Sequence, residues 1–409
     1  MRKAWLIPVV LVLALAGGTR LLHSRISREN PAPVRWRDSL NEAITNDLSS
    51  LPEMDQVVDS FMTFWHLRGV SLSISRNDSL LYARGYGKAD TVNPMTPGTT
   101  LRLASVSKLL TAVGIMRLQE KAMLFLDSPV FGPYGILNEY DSHIRDDNYY
   151  LITVEHLLRH QAGFTSRGGD PVFSPYPSRE ELLKKQLSRS LYYEPGTTQE
   201  YSNFGFLLLS LIIEKVSGLP YEDFMQQEVF APARCYGFRL AGNYLKDRHP
   251  GESRYHMHPE AVQSPSFDGR FAAVDKCYGG NNVQGSLGAG GWTGSAVELS
   301  RLVSTIDGKG PLEDILLPFS VKQMTNYYDT ETFSLGWNDT KPGGEWTRSG
   351  SFSGTQALVK TFPDGECWIF LSNTSTWRGS RFARNIAELF DNLRNRFSEQ
   401  LPSRDLFRE

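Results

Sequence analysis

The order of hydrophobic periodicities along the 409 residues most constrains the fold of this chain. Apolar residues alternate with polar ones, as in half-buried strands, only towards the two ends of the folded part, over 70–74, 80–86, 333–337, 347–350, 356–362 and 367–373. Apolar residues at helical spacing occupy the middle, over 106–124, 154–159, 179–190, 204–216 and 221–229. Strands that flank a helical middle predict one sheet domain with a helical insertion.

Further signals set the boundaries of these parts. Helices are predicted over 54–67, 296–306 and 382–397, and Pro363-Asp364-Gly365 predicts a hairpin between the last two strands. Residues 243–291 lose all periodicity and are rich in glycine, which is typical of functional or mobile loops. We therefore predict the following layout: a sheet part over about 53–104 and 300–398, a helical part over about 105–299, and a charged tail over 399–409.

The amino terminus has the composition of an export segment. Arg2 and Lys3 precede an apolar run over 4–16, and Ala14-Leu15-Ala16 resembles a cleavage site. A spanning helix needs about 20 apolar residues, so this run suits a signal peptide over 1–18, although an uncleaved membrane anchor through 4–18 stays open. A polar tether over 19–52 follows. We expect an extracytoplasmic protein, periplasmic or secreted.

Composition excludes several classes of function. Forty-three basic residues against 45 acidic ones leave no electrostatic surface for nucleic acid. Cys235, Cys277 and Cys367 are far apart in the sequence and form no zinc motif, and free thiols are favoured over one disulfide. Phosphate-binding and dinucleotide fingerprints are absent from the sequence. The sequence therefore predicts no cofactor and a small-molecule or peptide-like substrate as partner, and it leaves the oligomeric state open.

Ser105 and Lys108 form an S-x-x-K motif at the start of the long predicted helix. Residues three apart share a helix face, so the Lys108 amine can reach the Ser105 hydroxyl. A lysine with a depressed pKa can remove the proton of a serine nucleophile. Taken alone, the motif is weak, and a serine that caps a helix with a surface lysine one turn later accounts for it more often than a catalytic pair does.

A second group of candidates is Tyr201-Ser202-Asn203. A loop tyrosine near a lysine can act as a general base, and the Asn203 amide can serve both the substrate and the lysine. The alternative is a turn in which Asn203 caps the following helix.

Together these motifs resemble the serine β-lactamase-like hydrolases, a broad family that includes class C β-lactamases, D-amino-acid-specific peptidases and esterases related to penicillin-binding proteins. The similar segments are LRLASVSK at 101–108, LFLDSPV at 124–130, ITVEHLLRHQAGF at 152–164, PGTTQEYSNFG at 195–205 and AGGWTGSAVEL at 289–299. The resemblance implies a mixed α/β (α+β) fold, in which an antiparallel sheet flanked by helices lies beside an all-helical domain with the site between them. It also implies an acyl-enzyme mechanism with Ser105, Lys108 and Tyr201 as catalytic residues.

The resemblance further implies a Lys or His on a sheet strand, followed by one residue and a glycine. Lys341-Pro342-Gly343 has these letters, but a proline removes a strand donor, and we interpret Lys341 as part of a turn. Arg348-Ser349-Gly350 has the better strand context, so Arg348, Gly350 and Asn203 are expected to bind substrate. By resemblance, the backbone N–H groups of Ser105 and Ser351 form the oxyanion hole. Because arginine stays protonated, Arg348 makes efficient β-lactam hydrolysis doubtful without removing the other catalytic groups.

Histidines provide the remaining candidates. His156 and His160 are four apart, but Leu157 replaces the glutamate of a zinc-protease motif, and the resemblance makes both histidines structural. His256 and His258 lie near His249 without an acidic ligand at fixed spacing, so no metal site is predicted.

The sequence leads to two hypotheses. The first is an exported serine hydrolase acting on an ester, a D-amino-acid amide or peptide, or a β-lactam. The second is a non-catalytic penicillin-binding or peptidoglycan-binding or sensing protein on the same fold, which the arginine at position 348 motivates.

Overall fold

The structure is a computed structural model that describes residues 50–167, 169–173, 178–325, 334–341 and 343–407. The predicted export segment at 1–18 and the tether up to residue 49 lie outside the described residues. So does Phe333, the first residue of a predicted strand.

One six-stranded antiparallel sheet joins the two ends of the chain. Its strand order is β2-β1-β11-β10-β9-β8, and all five strand pairs are antiparallel. These strands are β1 Gly69–Arg76, β2 Ser79–Gly87, β8 Asp339–Lys341, β9 Glu345–Phe352, β10 Thr355–Thr361 and β11 Glu366–Ser372. The expected antiparallel sheet is confirmed, and β11 lies beside β1 with Val70 opposite Ser372.

The α-helices of the described residues fall mainly between β2 and β8, as the sequence predicts. They are α1 Pro52–Trp65, α2 Ser107–Glu120, α3 Val154–Leu158, α4 Arg179–Leu187, α5 Asn203–Ser217, α6 Tyr221–Met225, α7 Ala296–Val303, α8 Pro318–Thr325 and α9 Phe382–Phe397. Among the described residues, no single helix has the length and hydropathy of a membrane span. α5 and the helical segment Tyr221–Phe230 reach that length and hydropathy only when taken together, and the pair is bent by 79°.

The two faces of the sheet are buried against different helices. Side chains alternate between the faces of a strand. Leu358 and Phe370 therefore lie in the outer core with α1 and α9. Val359 and Ile369 lie in the inner core with α2, α5 and α7. The inner face is the one that meets the helical part and positions the candidate site.

A small second sheet takes two of its three strands from the part predicted to be helical. Its order is β3-β7-β4, with β3 Leu101–Arg102, β4 Arg239–Leu240 and β7 Trp292–Gly294. Residues 243–291 contain a two-stranded ladder of β5 Ser264–Pro265 and β6 Ala273–Val274 together with short helical turns. Strands of two or three residues are too short to show as periodicity.

Three local predictions differ from the structure in whole or in part. Ser334–Trp337 is not a strand, because Gly336 has a φ of +84° and breaks the extended path, and β8 begins at Asp339. The helix predicted over 106–124 ends at Glu120, since Ala122 has a left-handed φ of +53°. Lys341 is the last residue of β8 as well as the first residue of the turn that follows, where its carbonyl accepts from the N–H of Gly344 at 3.3 Å, and its exposed amine pairs with Glu345 at 2.7 Å.

The segment after α9 packs against the sheet. The N–H of Leu406 donates to the carbonyl of Leu80 on β2 at 2.9 Å, and Asp405 accepts from the N–H of Leu80 at 3.1 Å. Leu406 is buried against Leu80. The predicted charged tail therefore covers the exposed edge of β2, which is a common way to protect an edge strand.

Candidate active site

Ser105 lies on a tight turn between the small sheet and α2. The turn is the 3-10 helix Ala104–Val106, and Ala104 has a φ of +48°. A left-handed φ costs a non-glycine residue about 1–3 kcal/mol, and such strain is concentrated at functional sites. The turn leaves Ser105 half-buried at the amino-terminal end of α2, where backbone N–H groups favour negative charge.

The Ser105 hydroxyl contacts the two groups expected to act on its proton. The Tyr201 hydroxyl donates to Ser105 Oγ at 2.7 Å. Lys108 Nζ lies 3.3 Å from the same oxygen. The structure thus brings together the three predicted catalytic residues, although their catalytic roles stay a prediction.

Lys108 is completely buried beneath the site. Its ammonium donates to Asn203 Oδ1 at 2.6 Å and to the carbonyl oxygen of Ala289. It also lies 4.8 Å from the centre of the Tyr201 ring. Burial lowers the pKa of Lys108, and the nearby Arg348 charge lowers it further, whereas Tyr201 opposes this change.

The electrostatics of Tyr201 favour its ionised form. Burial alone raises the pKa of Tyr201, but the charges of Lys108 and Arg348 outweigh it, so the pKa lies below its usual value. His160 packs against the tyrosine with ring centroids 4.6 Å apart. The N–H of Ser202 donates to His160 Nδ1 at 3.0 Å, so that nitrogen is an acceptor. Burial and the two cations hold the pKa of His160 well below its usual range, which leaves a neutral ring there.

Arg348 binds the nucleophile turn. Its guanidinium is only 1% exposed, and Nε donates to the backbone carbonyl of Ser105 at 2.8 Å. A terminal nitrogen of the same group lies 3.4 Å from the Tyr201 hydroxyl. Arg348 is therefore a buried residue that contacts both Ser105 and Tyr201. Its expected part in substrate binding stays a prediction.

Gly350 allows β9 to approach Ser105 closely. A Cβ atom at this position would lie 2.3 Å from the Leu103 carbonyl oxygen and 3.1 Å from the Ser105 nitrogen. Real Cβ contacts are not that short, so a larger residue would push the strand away from the turn.

The N–H of Ser351 is directed away from β10, towards the other edge of β9. The N–H of Ser349 points away from β10, since it donates to Asn338 Oδ1 at 2.6 Å. Because successive N–H groups alternate along a strand, that of Ser351 points to the same edge as that of Ser349. This direction suits the oxyanion-hole role that is predicted for Ser351 together with Ser105.

Asn203 joins Lys108 to a carboxylate that the sequence analysis missed. Its Oδ1 accepts from Lys108, and its Nδ2 donates to Asp170 Oδ2 at 2.8 Å. The helix cap is Ser202 rather than Asn203, because Ser202 Oγ accepts from the N–H of Gly205. Asp170 lies in a loop 33 residues before Asn203, without periodicity or motif to mark it. The Ala289 carbonyl was also missed, since backbone acceptors leave no trace in residue types.

The other candidates lie apart from this cluster or support it. His156 Nδ1 accepts from the N–H of Thr153 and completes a capping box for α3. Burial and neighbouring arginines lower the pKa of His256 to about 4. In the part of the chain that the structure describes, no group of three or more His, Cys, Asp or Glu residues is arranged to hold a metal ion. Cys235, Cys277 and Cys367 are buried free thiols.

Comparison with known families gives one model that covers most of the chain. The family described as Beta-lactamase matches residues 54–391. This range includes every predicted site residue.

Individual relatives match this chain at low sequence identity. Penicillin-binding protein 4* of Bacillus subtilis (strain 168) is 26% identical over 314 residues, which are 72% of this chain and 65% of that protein. The chain thus spans slightly less than two thirds of that relative. Esterase EstB of Burkholderia gladioli is 27% identical over 317 residues, which are 72% of this chain and 80% of the esterase.

Solved structures share the fold. The D-amino acid amidase of Ochrobactrum anthropi SV3, complexed with L-phenylalanine, superposes with a TM-score of 0.67 at 19% identity, over 85% of this chain and 98% of the amidase. The octameric penicillin-binding protein homologue of Pyrococcus abyssi gives a TM-score of 0.61 at 21% identity, over 84% of this chain and 77% of that one.

Proposed function

The chain belongs to the beta-lactamase family, and on that premise we propose that it is a serine hydrolase that forms an acyl-enzyme on Ser105. One observation carries the proposal. The Ser105 hydroxyl is 2.7 Å from a tyrosine whose pKa is lowered by two buried cations, Lys108 and Arg348. A general base needs this combination of hydrogen-bond reach and a pKa shifted towards neutrality.

In the acylation step, ionised Tyr201 takes the proton of Ser105 as Oγ attacks the substrate carbonyl carbon. The new carbon–oxygen bond places a negative charge on the carbonyl oxygen, which the N–H groups of Ser105 and Ser351 stabilise. The tetrahedral intermediate then collapses, the bond to the leaving group breaks, and Tyr201 returns the proton to that group. Buried Lys108 and Arg348 keep the phenolate stable through this exchange.

Deacylation repeats the sequence with water as the nucleophile. Tyr201 removes one proton from water, hydroxide adds to the acyl carbon, and the proton is delivered to Ser105 Oγ as the ester bond breaks. The free acid and the resting serine result. Every proton passes between atoms within reach of Ser105.

We rank three candidate substrate classes by the support for each. An ester comes first, then a D-amino-acid amide or peptidoglycan-type peptide, and a β-lactam last. The relatives named as an esterase, an amidase and a penicillin-binding protein support this range. Arg348 argues against efficient β-lactam turnover, because it cannot relay a proton as a histidine could.

Covalent labelling and turnover together test the proposal. Wild-type protein should hydrolyse p-nitrophenyl esters or D-alanyl peptides and should be labelled by a fluorophosphonate at Ser105. Ser105→Ala should lose both activities, whereas Ser60→Ala should keep both, because Ser60 is an exposed residue of α1. Labelling that persists in Ser105→Ala would refute the assignment of the nucleophile.

The alternative is a penicillin-binding or sensing protein without turnover, which Arg348 in place of Lys or His favours. A panel of nitrocefin, p-nitrophenyl esters and D-alanyl peptides separates the two. Saturable binding by the wild type without hydrolysis of any of them would support the alternative.

Export is a second part of the proposal. The apolar run at 4–16 with basic residues before it supports secretion or anchoring outside the cytoplasm. Cell fractionation of the full chain, with mass measurement of its amino terminus, distinguishes cleavage near Ala16 from retention of the segment. Recovery of the uncleaved chain only from the cytoplasm would contradict export.

A further inference from the structure

A groove beside the outer core is lined by aromatic side chains that the proposed mechanism does not use. It has a volume of about 810 Å³ and lies where the end of α1, residues 258–260 and residues 376–378 meet. Two of its aromatic side chains are largely exposed, Phe64 at 74% and Trp377 at 68%. Large apolar side chains that stay exposed together in one groove are typical of a binding surface.

Trp65 connects these rings and is held by the outer core. Its ring centroid lies 5.1 Å from that of Phe64 and 6.3 Å from that of Trp377. It also packs against the buried ring of Phe382 at the start of α9, with centroids 5.0 Å apart. A ring that is fixed in this way loses little freedom when a ligand stacks on it, so the aromatic wall is preorganised.

Hydrogen-bonding groups line the same groove. The carboxylate of Glu260 and the imidazoles of His66 and His258 supply acceptors and donors. Thr376 is only 5% exposed, and within the part of the chain that the structure describes its Oγ1 has no hydrogen-bond partner. A buried hydroxyl without a partner costs free energy, so a ligand that offers a bond to Thr376 gains affinity.

Arg378 places a positive charge at the aromatic wall. Its guanidinium carbon lies 5.0 Å from the ring centre of Trp377 and 5.5 Å from that of Trp65. A ligand cation would compete with this charge for the rings. A purely apolar ligand would take Arg378 and Glu260 out of water without replacing their hydrogen bonds. The groove is therefore suited to an uncharged ligand with apolar faces and polar edges.

We propose that this groove binds an oligosaccharide. A sugar ring has a face of C–H bonds, which packs on the negative face of an aromatic ring, and an edge of hydroxyls, which donate and accept. The groove offers both surfaces, because the rings of Phe64, Trp65 and Trp377 lie beside Glu260 and Thr376. Its volume is ordinary for a ligand site, about 300–1,000 Å³. Three rings allow more than one sugar unit to stack, which favours an oligosaccharide over a single sugar.

One of the three segments that form the groove also reaches the candidate active site. Just before it, the N–H of His256 donates to the carbonyl of Asn373 at 2.9 Å. Tyr255 lies against Gly354, where a Cβ atom would be 2.6 Å from the Cβ of Tyr255. Gly354 is in the turn that follows Ser351, the predicted oxyanion donor. A glycan in the groove is therefore held at the end of the sheet that carries this donor, and its binding does not require the proposed hydrolysis.

Calorimetry with the full chain tests the inference. The probes are chitohexaose, cellohexaose, maltohexaose and xylohexaose, and at least one should bind. Trp377→Ala should weaken that binding at least about tenfold, because a stacked ring is lost. Trp377→Phe keeps an aromatic face and should weaken it less. Thr376→Val keeps the shape but removes the hydroxyl, and should weaken binding about threefold to tenfold.

Phe319→Ala is the matched control, because Phe319 is 66% exposed on α8 and does not line the groove. It should keep the full affinity. Tm and any ester turnover should be unchanged in Trp377→Ala, which shows that the variant folds. Ser105→Ala should bind the saccharide as tightly as the wild type does. Failure of the proposed hydrolysis and failure of this inference are therefore distinguishable.

Two results would overturn the inference: a wild type that binds none of the four saccharides, or a Trp377→Ala variant that binds as tightly as the wild type. Sedimentation with phosphatidylglycerol vesicles identifies a different occupant. Comparison of the wild type with Trp377→Ala cancels any contribution of the apolar run at 4–16. If Trp377→Ala sediments less than the wild type and no saccharide binds, the groove is a membrane-docking surface and the glycan assignment is wrong.

Discussion

A buried pair of tyrosines and a half-buried single tyrosine in this molecule have opposite electrostatics. In the Tyr82 cluster, the hydroxyls of Tyr82 and Tyr86 both donate to Asp55 Oδ1, at 2.6 and 2.8 Å. In the Tyr201 cluster, the hydroxyl of Tyr201 lies beside Ser105, Lys108 and Arg348. Burial raises the pKa of all three tyrosines, and so burial cannot explain the difference between the clusters.

The neighbouring charge decides the direction. Burial holds the pKa of Tyr82 and Tyr86 far above the usual value. Asp55 adds to this for Tyr82, and Tyr82 followed by Asp55 adds to it for Tyr86, although Arg84 lies 3.5 Å from the Asp55 carboxylate. Lys108 and Arg348 overcome burial and lower the pKa of Tyr201. In the Tyr82 cluster, the tyrosine hydroxyls stay neutral and link β2 to α1 through Asp55. The Tyr201 cluster, by contrast, is suited to proton transfer.

Removing Lys108 should have the largest effect on this contrast. Lys108→Met takes away the cation nearest to Tyr201 and one partner of Ser105, so kcat/KM for an ester should fall about 10⁴-fold. Lys341→Met is the control, because Lys341 is an exposed cation on the edge strand and should keep full activity. A loss of less than about tenfold in Lys108→Met would mean that Tyr201 does not depend on this lysine.

Phenylalanine substitutions in the two clusters should separate activity from stability. Tyr201→Phe should reduce kcat/KM about 10²- to 10³-fold, because the proposed general base is lost. Tyr86→Phe should leave kcat/KM unchanged but lower the free energy of unfolding by about 1–2 kcal/mol, since a buried bond to Asp55 is lost. Ester kinetics and urea denaturation measure the two effects. Equal activity losses in both variants would contradict the contrast.

The pH dependence of Arg348→Met tests the second cation. In the proposed mechanism activity requires ionised Tyr201, and the Arg348 charge helps to lower the pKa of that tyrosine. Without this charge the pKa rises, so the ascending limb of kcat/KM should move to higher pH by about one pH unit or more. Arg348→Lys should move it less, because the charge is retained. If the ascending limb of the pH profile does not move in Arg348→Met, Arg348 does not tune the pKa of Tyr201. Its role would then be limited to the hydrogen bond with the Ser105 carbonyl.

A half-buried carboxylate close to other carboxylates should show the smallest effect. Burial raises the pKa of Asp307 to about 7, and Asp78 adds to this, whereas the Lys309 backbone opposes it. The folded state then binds more protons than the unfolded state between about pH 4 and 7, so this group destabilises the fold as pH rises through that range. Asp307→Asn should raise Tm by a few degrees at pH 7.5 and by roughly 40% as much at pH 5. A thermal melt at both pH values measures this, and an equal Tm change at both would contradict it.

The sequence predicted the parts of the site that depend on local order. Ser105 and Lys108 share one turn, and Tyr201 and Asn203 share one loop, so their motifs were readable. The antiparallel sheet was also predictable, because β1, β2, β9, β10 and β11 alternate clearly. Asp170 was not, since its contact with Asn203 depends on how two loops fold together.

Two further features were beyond the reach of sequence patterns. The sequence placed Arg348 on a strand, but its bond to the Ser105 carbonyl follows from the close approach of β9 that Gly350 permits. The charges of 399–407 concealed its docking, because Leu406 and Phe407 pack against the cluster around Leu80 while backbone pairing assists. The composition of 399–407 shows only that the segment is charged, whereas its packing depends on the apolar surface around Leu80.

The position of β1 between β2 and β11 has a consequence for biosynthesis. Ser372 Oγ donates to the Gly69 carbonyl, a contact between residues 303 positions apart. The β1–β2 hairpin is therefore synthesised long before β11, the other strand that pairs with β1. Contacts of such long range form slowly. Until then β1 presents an unpaired edge, so a chaperone that holds the nascent chain should raise the yield of native protein more than a lower growth temperature does.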